Sequence, residues 1–145
     1  MLKAVIDTNV LISAVLSKSG VPAEILRLWR KRSFVVATSE TAIDEVQRVL
    51  TDLGSRGKYN LPASEVSNLV HLLRSEAQLV SGQMEITGII PQDTTDEIFL
   101  AIALEANADI IISGDKHLLN LGKFKNIPIN TPRKFLDLLE GEKHE

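Results

Sequence analysis

The chain has 145 residues, 44% of them apolar, with 16 Lys plus Arg against 19 Asp plus Glu, no cysteine and a formal net charge of −3. One globular domain of this length can bury its own core, and the missing cysteines exclude both a disulfide framework and thiol catalysis. The acidic balance argues against a non-specific nucleic-acid binder. No apolar run approaches the ~20 residues that span a bilayer, nor does the N-terminus read as a signal peptide, so a cytoplasmic protein without membrane association is expected.

The first apolar run, Leu2 with Ala4, Val5 and Ile6, reads as a buried strand, and Asp7-Thr8-Asn9 follows it directly. An acid therefore stands where a strand ends, and in open parallel sheets that is the side on which ligands bind. Thr8 and Asn9 are positioned to cap the next helix or to hold the Asp7 carboxylate in one orientation. The plainer alternative is a turn and a helix cap and nothing more.

Val10, Leu11, Ala14 and Val15 then mark one helical face, and Pro22 suits the first turn of a second helix bearing Ile25, Leu28 and Trp29. The basic stretch from Arg27 to Arg32 reads as the solvated end of that helix. Phe34-Val35-Val36-Ala37 is a second strand, closed by Thr38 and an N-cap at Ser39. The helix that follows should run to about Thr51, with Ala42, Ile43, Val46, Val49, Leu50 and Leu53 inward. At about 100° per residue Glu45 falls at the edge of this stripe, while Asp44 points to solvent.

A basic loop over 54–58 leads to a helix opening at Pro62, with Val66, Leu69, Val70, Leu73 and Ala77 inward and His71 beside this stripe, structural or solvated. Short β-like pieces are expected at Leu79-Val80 and at Met84-Glu85-Ile86. Thr94 or Thr95 is a credible cap for a helix that begins with Asp96 and Glu97 and buries Ile98, Phe99, Ile102, Ala103 and Ala106. Ala108 to Ile112 is the clearest strand, and Ser113-Gly114-Asp115 repeats the pattern of an acid after a strand end. A last strand over 125–130 and a terminal helix opening at Thr131-Pro132 complete the chain, with a frayed tail from about 140 to 145.

Strands alternating with helices over residues 1–145, without linker or repeat, predict one domain of α/β class: three layers around a mostly parallel sheet of four or five strands. Asp7 and Asp115 would then end different strands on one rim, joined there by Glu45 and Asp96. Carboxylates so gathered repel unless a cation compensates. Oxygen ligands suit Mg²⁺ or Mn²⁺, and with no cysteine and no zinc-type histidine spacing a zinc site is not expected. Hard-cation chemistry on a phosphodiester is the reaction such a cluster supports.

These segments also resemble a known family. Val5-Ile6-Asp7-Thr8-Asn9-Val10-Leu11, the inward Glu45 after Ser39, Asp96-Glu97-Ile98-Phe99-Leu100-Ala101, and Ala108-Asp109-Ile110-Ile111-Ile112-Ser113-Gly114-Asp115 with Leu118-Leu119 are similar in order and spacing to the four motifs of PIN-domain nucleases. The likeness spans about residues 2 to 139 and is nearest to the VapC-type ribonucleases, the toxin components of toxin-antitoxin pairs. It implies a Mg²⁺- or Mn²⁺-dependent endoribonuclease, usually a homodimer and often held inactive by a small antitoxin protein. Carried over by position, Asp7 and Asp96 become the principal metal ligands, Asp115 a further or water-mediated ligand, and Glu45 an orienter of the attacking water or a second-metal ligand. Thr8, Asn9 and Ser113 would support them by hydrogen bonds. One departure is Thr94-Thr95, where many relatives carry Pro and a further charged residue.

Two other readings compete. A phosphoaspartate phosphohydrolase or receiver module also uses an Asp ending a strand. The former, however, needs a second Asp two residues on, where Asn9 stands, and the latter an earlier acidic pair. A catalytically silent PIN-like module binding RNA or protein would share the scaffold without turnover.

Overall fold

The computed structural model of the chain describes residues 1–57, 59–83 and 96–143, with the backbone alone at 96, 142 and 143. In chain order the elements are β1 (Lys3–Ile6), α1 (Thr8–Leu16), α2 (Val21–Arg30), β2 (Val35–Ser39), α3 (Glu40–Ser55), α4 (Ala63–Glu76) and β3 (Gln78–Val80). They continue with α5 (Asp96–Ala106), β4 (Ile110–Ile112), α6 (Lys116–Leu121), β5 (Lys123–Phe124), β6 (Ile127–Asn130) and α7 (Pro132–Lys143). The β-like piece at Met84-Glu85-Ile86 and the caps at Thr94 or Thr95 lie outside the described residues, as does the Thr94-Thr95 departure from the family pattern.

The strands form one sheet in the order β3-β2-β1-β4-β6-β5, parallel throughout except for the β5–β6 pair. From β1 the winding runs outward through β2 to β3, then returns to the other side of β1 with β4. The boundary between β1 and β4 is thus the point where strand order reverses, and an open α/β sheet offers its binding crevice beyond the strand ends at such a point. Ile6 pairs with Ile112, so the residues that leave the sheet side by side there are Asp7 and Ser113.

Alternation along the strands divides the core into two layers. Ala4, Ile6, Val36, Ile110 and Ile112 face a layer built from α1, α2, α3, α4 and α7. There Phe34 meets Phe135 edge to face, with ring centroids 4.9 Å apart. Val5, Ala37, Ile111 and Ile129 face the opposite way, onto α5 and Leu118 of α6. The three-layer α/β/α arrangement expected from the alternation is the one observed. Among the described residues no helix is long and apolar enough to cross a membrane.

Among the described residues the sheet has six strands, where four or five were expected. The expected strand over 125–130 is cut short because Lys125 and Asn126 take positive φ (49° and 69°) and form the turn of a β5–β6 hairpin. Two consecutive residues with φ above zero are what a tight two-residue hairpin turn requires. Helix α3 extends four residues past the expected Thr51, to Ser55. Helix α7 runs on to Lys143, within the stretch expected to fray.

Candidate active site

Asp7 is buried, at 3% relative exposure, and hydrogen bonds at its backbone and at both carboxylate oxygens hold it. Its backbone N–H continues the β1–β4 ladder to the Ile112 carbonyl at 3.1 Å. Its Oδ1 accepts from the Val10 amide at 3.0 Å, which makes Asp7 itself the N-cap of α1. Its Oδ2 accepts from the Ser113 hydroxyl. The helix cap and the acid at the strand end, weighed as alternatives on the sequence, are one residue.

Asp115 repeats the arrangement on the neighbouring strand. It is the N-cap of α6, with Oδ1 accepting from the His117 amide at 2.7 Å and from the Leu118 amide at 3.4 Å. Its own N–H donates to Ser113 Oγ at 2.9 Å. Ser113, fully buried, therefore bridges the two acids: its Oγ accepts a hydrogen bond from the Asp115 amide and its hydroxyl donates one to the Asp7 carboxylate. Unlike Asp7, Asp115 is partly exposed.

Burial pushes the Asp7 carboxyl above its ordinary value of 3.8. The Ser113 hydroxyl and the Val10 and Asn9 amides oppose that shift, while the neighbouring Asp115 charge adds to it. A carboxylate so desolvated and so close to a second negative charge lacks a counter-charge among the groups that hold it.

Glu45 arrives from α3. It is half-buried, at the edge of the stripe as its helical phase predicted, and Asp44 is exposed on the outer side. Thr8, the residue after Asp7, donates its hydroxyl to Glu45 Oε2 at 3.0 Å. Thr8 thus ties a third acid to the rim and does not cap α1. Asn9 is exposed beside them.

Asp96 is the first residue of α5, and its side chain lies outside the described residues. The far end of α5 is anchored at the start of β1, where Lys3 Nζ donates to the Ala106 carbonyl at 2.8 Å and the Lys3 amide donates to Asp109 Oδ2 at 2.8 Å. Eleven residues of helix span about 16 Å, which carries Asp96 away from that anchored edge. Among the described residues, no group of three or more acids or histidines stands close enough together to hold a metal ion. The side chains that do meet at the switch point are Asp7, Ser113 and Asp115, with Glu45 joined through Thr8.

One buried acid was missed on the sequence. Glu97, beside Asp96, is 6% exposed, although it was read there only as an acid in the first turn, outside the buried set. Helix α5 is buried almost all round, through Phe99, Leu100, Ala101, Ile102, Ala103 and Ala106. Its scarcity of polar residues was the signal that most of the helix surface is covered.

A PIN-domain family match covers residues 3–117, from β1 to the turn after Asp115. The chain belongs to the PIN-domain family. PIN domains are generally nucleases that use divalent metals. A further relative, an uncharacterized protein of Methanocaldococcus jannaschii, is 30% identical over 147 aligned positions, covering 96% of this chain and 92% of that one. Among solved structures, a chain of the VapBC2 complex from Rickettsia felis, bound to a DNA fragment from its promoter, superposes with a TM-score of 0.59 at 15% identity, over 90% of this chain and 98% of that one. PAE2754 from Pyrobaculum aerophilum does so with a TM-score of 0.58 at 13% identity, over 97% and 90%. At these identities the two structures establish the PIN-like fold.

Proposed function

We propose that this PIN domain is a Mg²⁺- or Mn²⁺-dependent endoribonuclease in which Asp7, Glu45, Asp96 and Asp115 form the acidic site. The observation that carries the reading is the Asp7–Ser113–Asp115 bridge. A carboxylate raised in pKa by burial and faced by a second acid is held at the strand-order reversal, with no cationic side chain among the described residues acting on it. Carboxylate oxygens of this kind are hard donors that fit a divalent cation keeping several waters.

Asp7 and Asp96 would be the principal ligands, and Asp115 a further or water-mediated one. Such a cation would supply Lewis-acid stabilisation of charge on the phosphodiester oxygens and a readier nucleophilic water. The chain's own contribution is positional. Ser113 orients Asp7, Thr8 orients Glu45 beside the site, and Glu45 would steer the attacking water or complete a second cation's shell.

The family's common use as toxins, together with the fold shared with a VapBC2 chain, supports a toxin role with a small antitoxin partner, and with it a cytoplasmic homodimer acting on RNA. Incubating a mixed pool of single-stranded and structured RNA with the purified protein in Mn²⁺, Mg²⁺ or chelator, beside Asp7→Asn, tests the activity. Cleavage that needs both metal and Asp7 is expected. If wild type and Asp7→Asn behave alike while calorimetry shows Mn²⁺ bound to the wild type, the domain is a silent binding module.

A further inference from the structure

Next to the acidic bridge lies an open groove of about 490 Å³ between the outer side of α1, the start of α2, the β4–α6 turn and the start of α7. That volume is within the ~300–1,000 Å³ typical of sites for small molecules or single residues of a polymer. Asp115 lines it, as does Asn9, two residues from the buried Asp7. The groove is therefore continuous with the proposed site of cleavage.

Its walls differ in chemistry. Lys116 and His117 lie on one side, both exposed. Neither side chain takes part in an ion pair among the described residues. Pro22 and Pro132 give apolar surface on the walls formed by α2 and α7, and Ser13 gives an exposed hydroxyl. A cation, a flat imidazole ring, apolar surface and a small polar group side by side match the parts of a nucleotide: phosphate, base and sugar. The protein as a whole is acidic, at −3, so a lysine beside a carboxylate cluster gives a polyanion a local foothold that the net charge does not.

The geometry points to this groove as the subsite for the nucleotide next to the scissile phosphate of a single-stranded RNA. Lys116 holds the flanking phosphate, and the base lies between His117 and the proline surface. Both are positioning residues that touch the substrate away from the bond that breaks. This rests on the nuclease reading for its orientation, whereas the binding itself can be measured without cleavage.

The test uses a short fluorescein-labelled single-stranded RNA. Its affinity for the full chain is read by anisotropy with Ca²⁺ in place of Mg²⁺, across a salt series, and its cleavage is followed with Mn²⁺. Lys116→Glu should weaken binding about tenfold and flatten the slope of log affinity against log salt by about 0.7, the value for one phosphate on a single strand. Lys116→Arg should restore the slope. Ser13→Trp, which fills the groove without changing charge, should raise KM with little change in kcat, and thermal midpoints close to wild type would confirm that the variants fold.

If Lys116→Glu and Ser13→Trp both leave the salt slope and KM unchanged in a protein that cleaves RNA, the groove is not a subsite and the nuclease reading stands alone. If no RNA is cleaved but the slope changes as described, the groove binds RNA and it is the nuclease reading that fails.

Discussion

The Ser113 hydroxyl donates to Asp7 Oδ2 across the β1–β4 boundary, joining two residues 106 positions apart in the chain. Because Ser113 Oγ also accepts from the Asp115 amide, one side chain sets the spacing of two acids. Ser113→Ala should lower stability by about 1–3 kcal/mol, since the buried Asp7 carboxylate loses its side-chain donor. Thermal unfolding in chelator should show a midpoint several degrees lower, and kcat for RNA cleavage should fall about tenfold or more while Ser113→Thr recovers part of it. An unchanged midpoint would mean that the hydroxyl carries no weight in holding Asp7.

The raised pKa of Asp7 makes stability depend on pH with a definite sign. The folded state holds this proton more tightly than the unfolded state does. The proton-linked stabilisation is therefore fully present below the ordinary value of 3.8 and is lost as pH rises through the folded-state value. Asp7→Asn keeps the helix cap, because Asn caps as well as Asp, and removes the buried charge. In chelator its midpoint should exceed that of wild type by on the order of 3 °C at pH 7, with the gap closing at pH about 3. Adding Mn²⁺ should raise the wild-type midpoint and leave Asp7→Asn where it was. A variant less stable than wild type at pH 7 would overturn the account of Asp7 as a desolvated acid.

Thr8 and Glu45 should act as one unit. Thr8→Val removes the donor to Glu45 Oε2 with little change in shape, and kcat should fall about tenfold as Glu45 loses its orientation, whereas Thr8→Ser should retain most activity. Placed on top of Glu45→Gln, Thr8→Val should add little, because coupled residues are not additive. Full additivity in that cycle would separate Thr8 from Glu45.

Asp115 caps α6 and is proposed as an acid of the site, and two substitutions divide the roles. Asp115→Ala should lose about 1 kcal/mol of stability with the cap of α6, and Asp115→Asn close to none. Cleavage should fall at least a hundredfold in both. Activity retained in Asp115→Asn but lost in Asp115→Ala would reduce Asp115 to a structural cap.

Much of the candidate site's placement was legible in the chain because its signals are local. An acid after a β-branched run occurs at Asp7 and again at Asp115. The phase of Glu45 on α3 follows from counting residues from Val46, and Ser39 as the cap of α3 follows from its place between strand and helix, where its hydroxyl accepts from the Ala42 amide at 3.2 Å. Less legible were the partners. Thr8 was expected to serve Asp7 or the cap and serves Glu45. Lys125 and Asn126 were assigned to a strand and form its turn, because left-handed backbone at a residue pair without glycine leaves little trace in sequence.

The sequence by itself determined the alternation of strands and helices, the faces that each element buries, and the residues that leave the strand ends as acids. Periodicity and capping depend on neighbours a few positions away, and those neighbours are written in order along the chain. Tertiary structure alone decided that β4 lies beside β1, because parallel pairing joins segments about a hundred residues apart and an apolar triplet such as Ile110-Ile111-Ile112 fits several partners equally well. That one adjacency brings Ser113 to Asp7, makes the strand-order reversal fall between them, and sets Lys116 and His117 along the groove that opens from it.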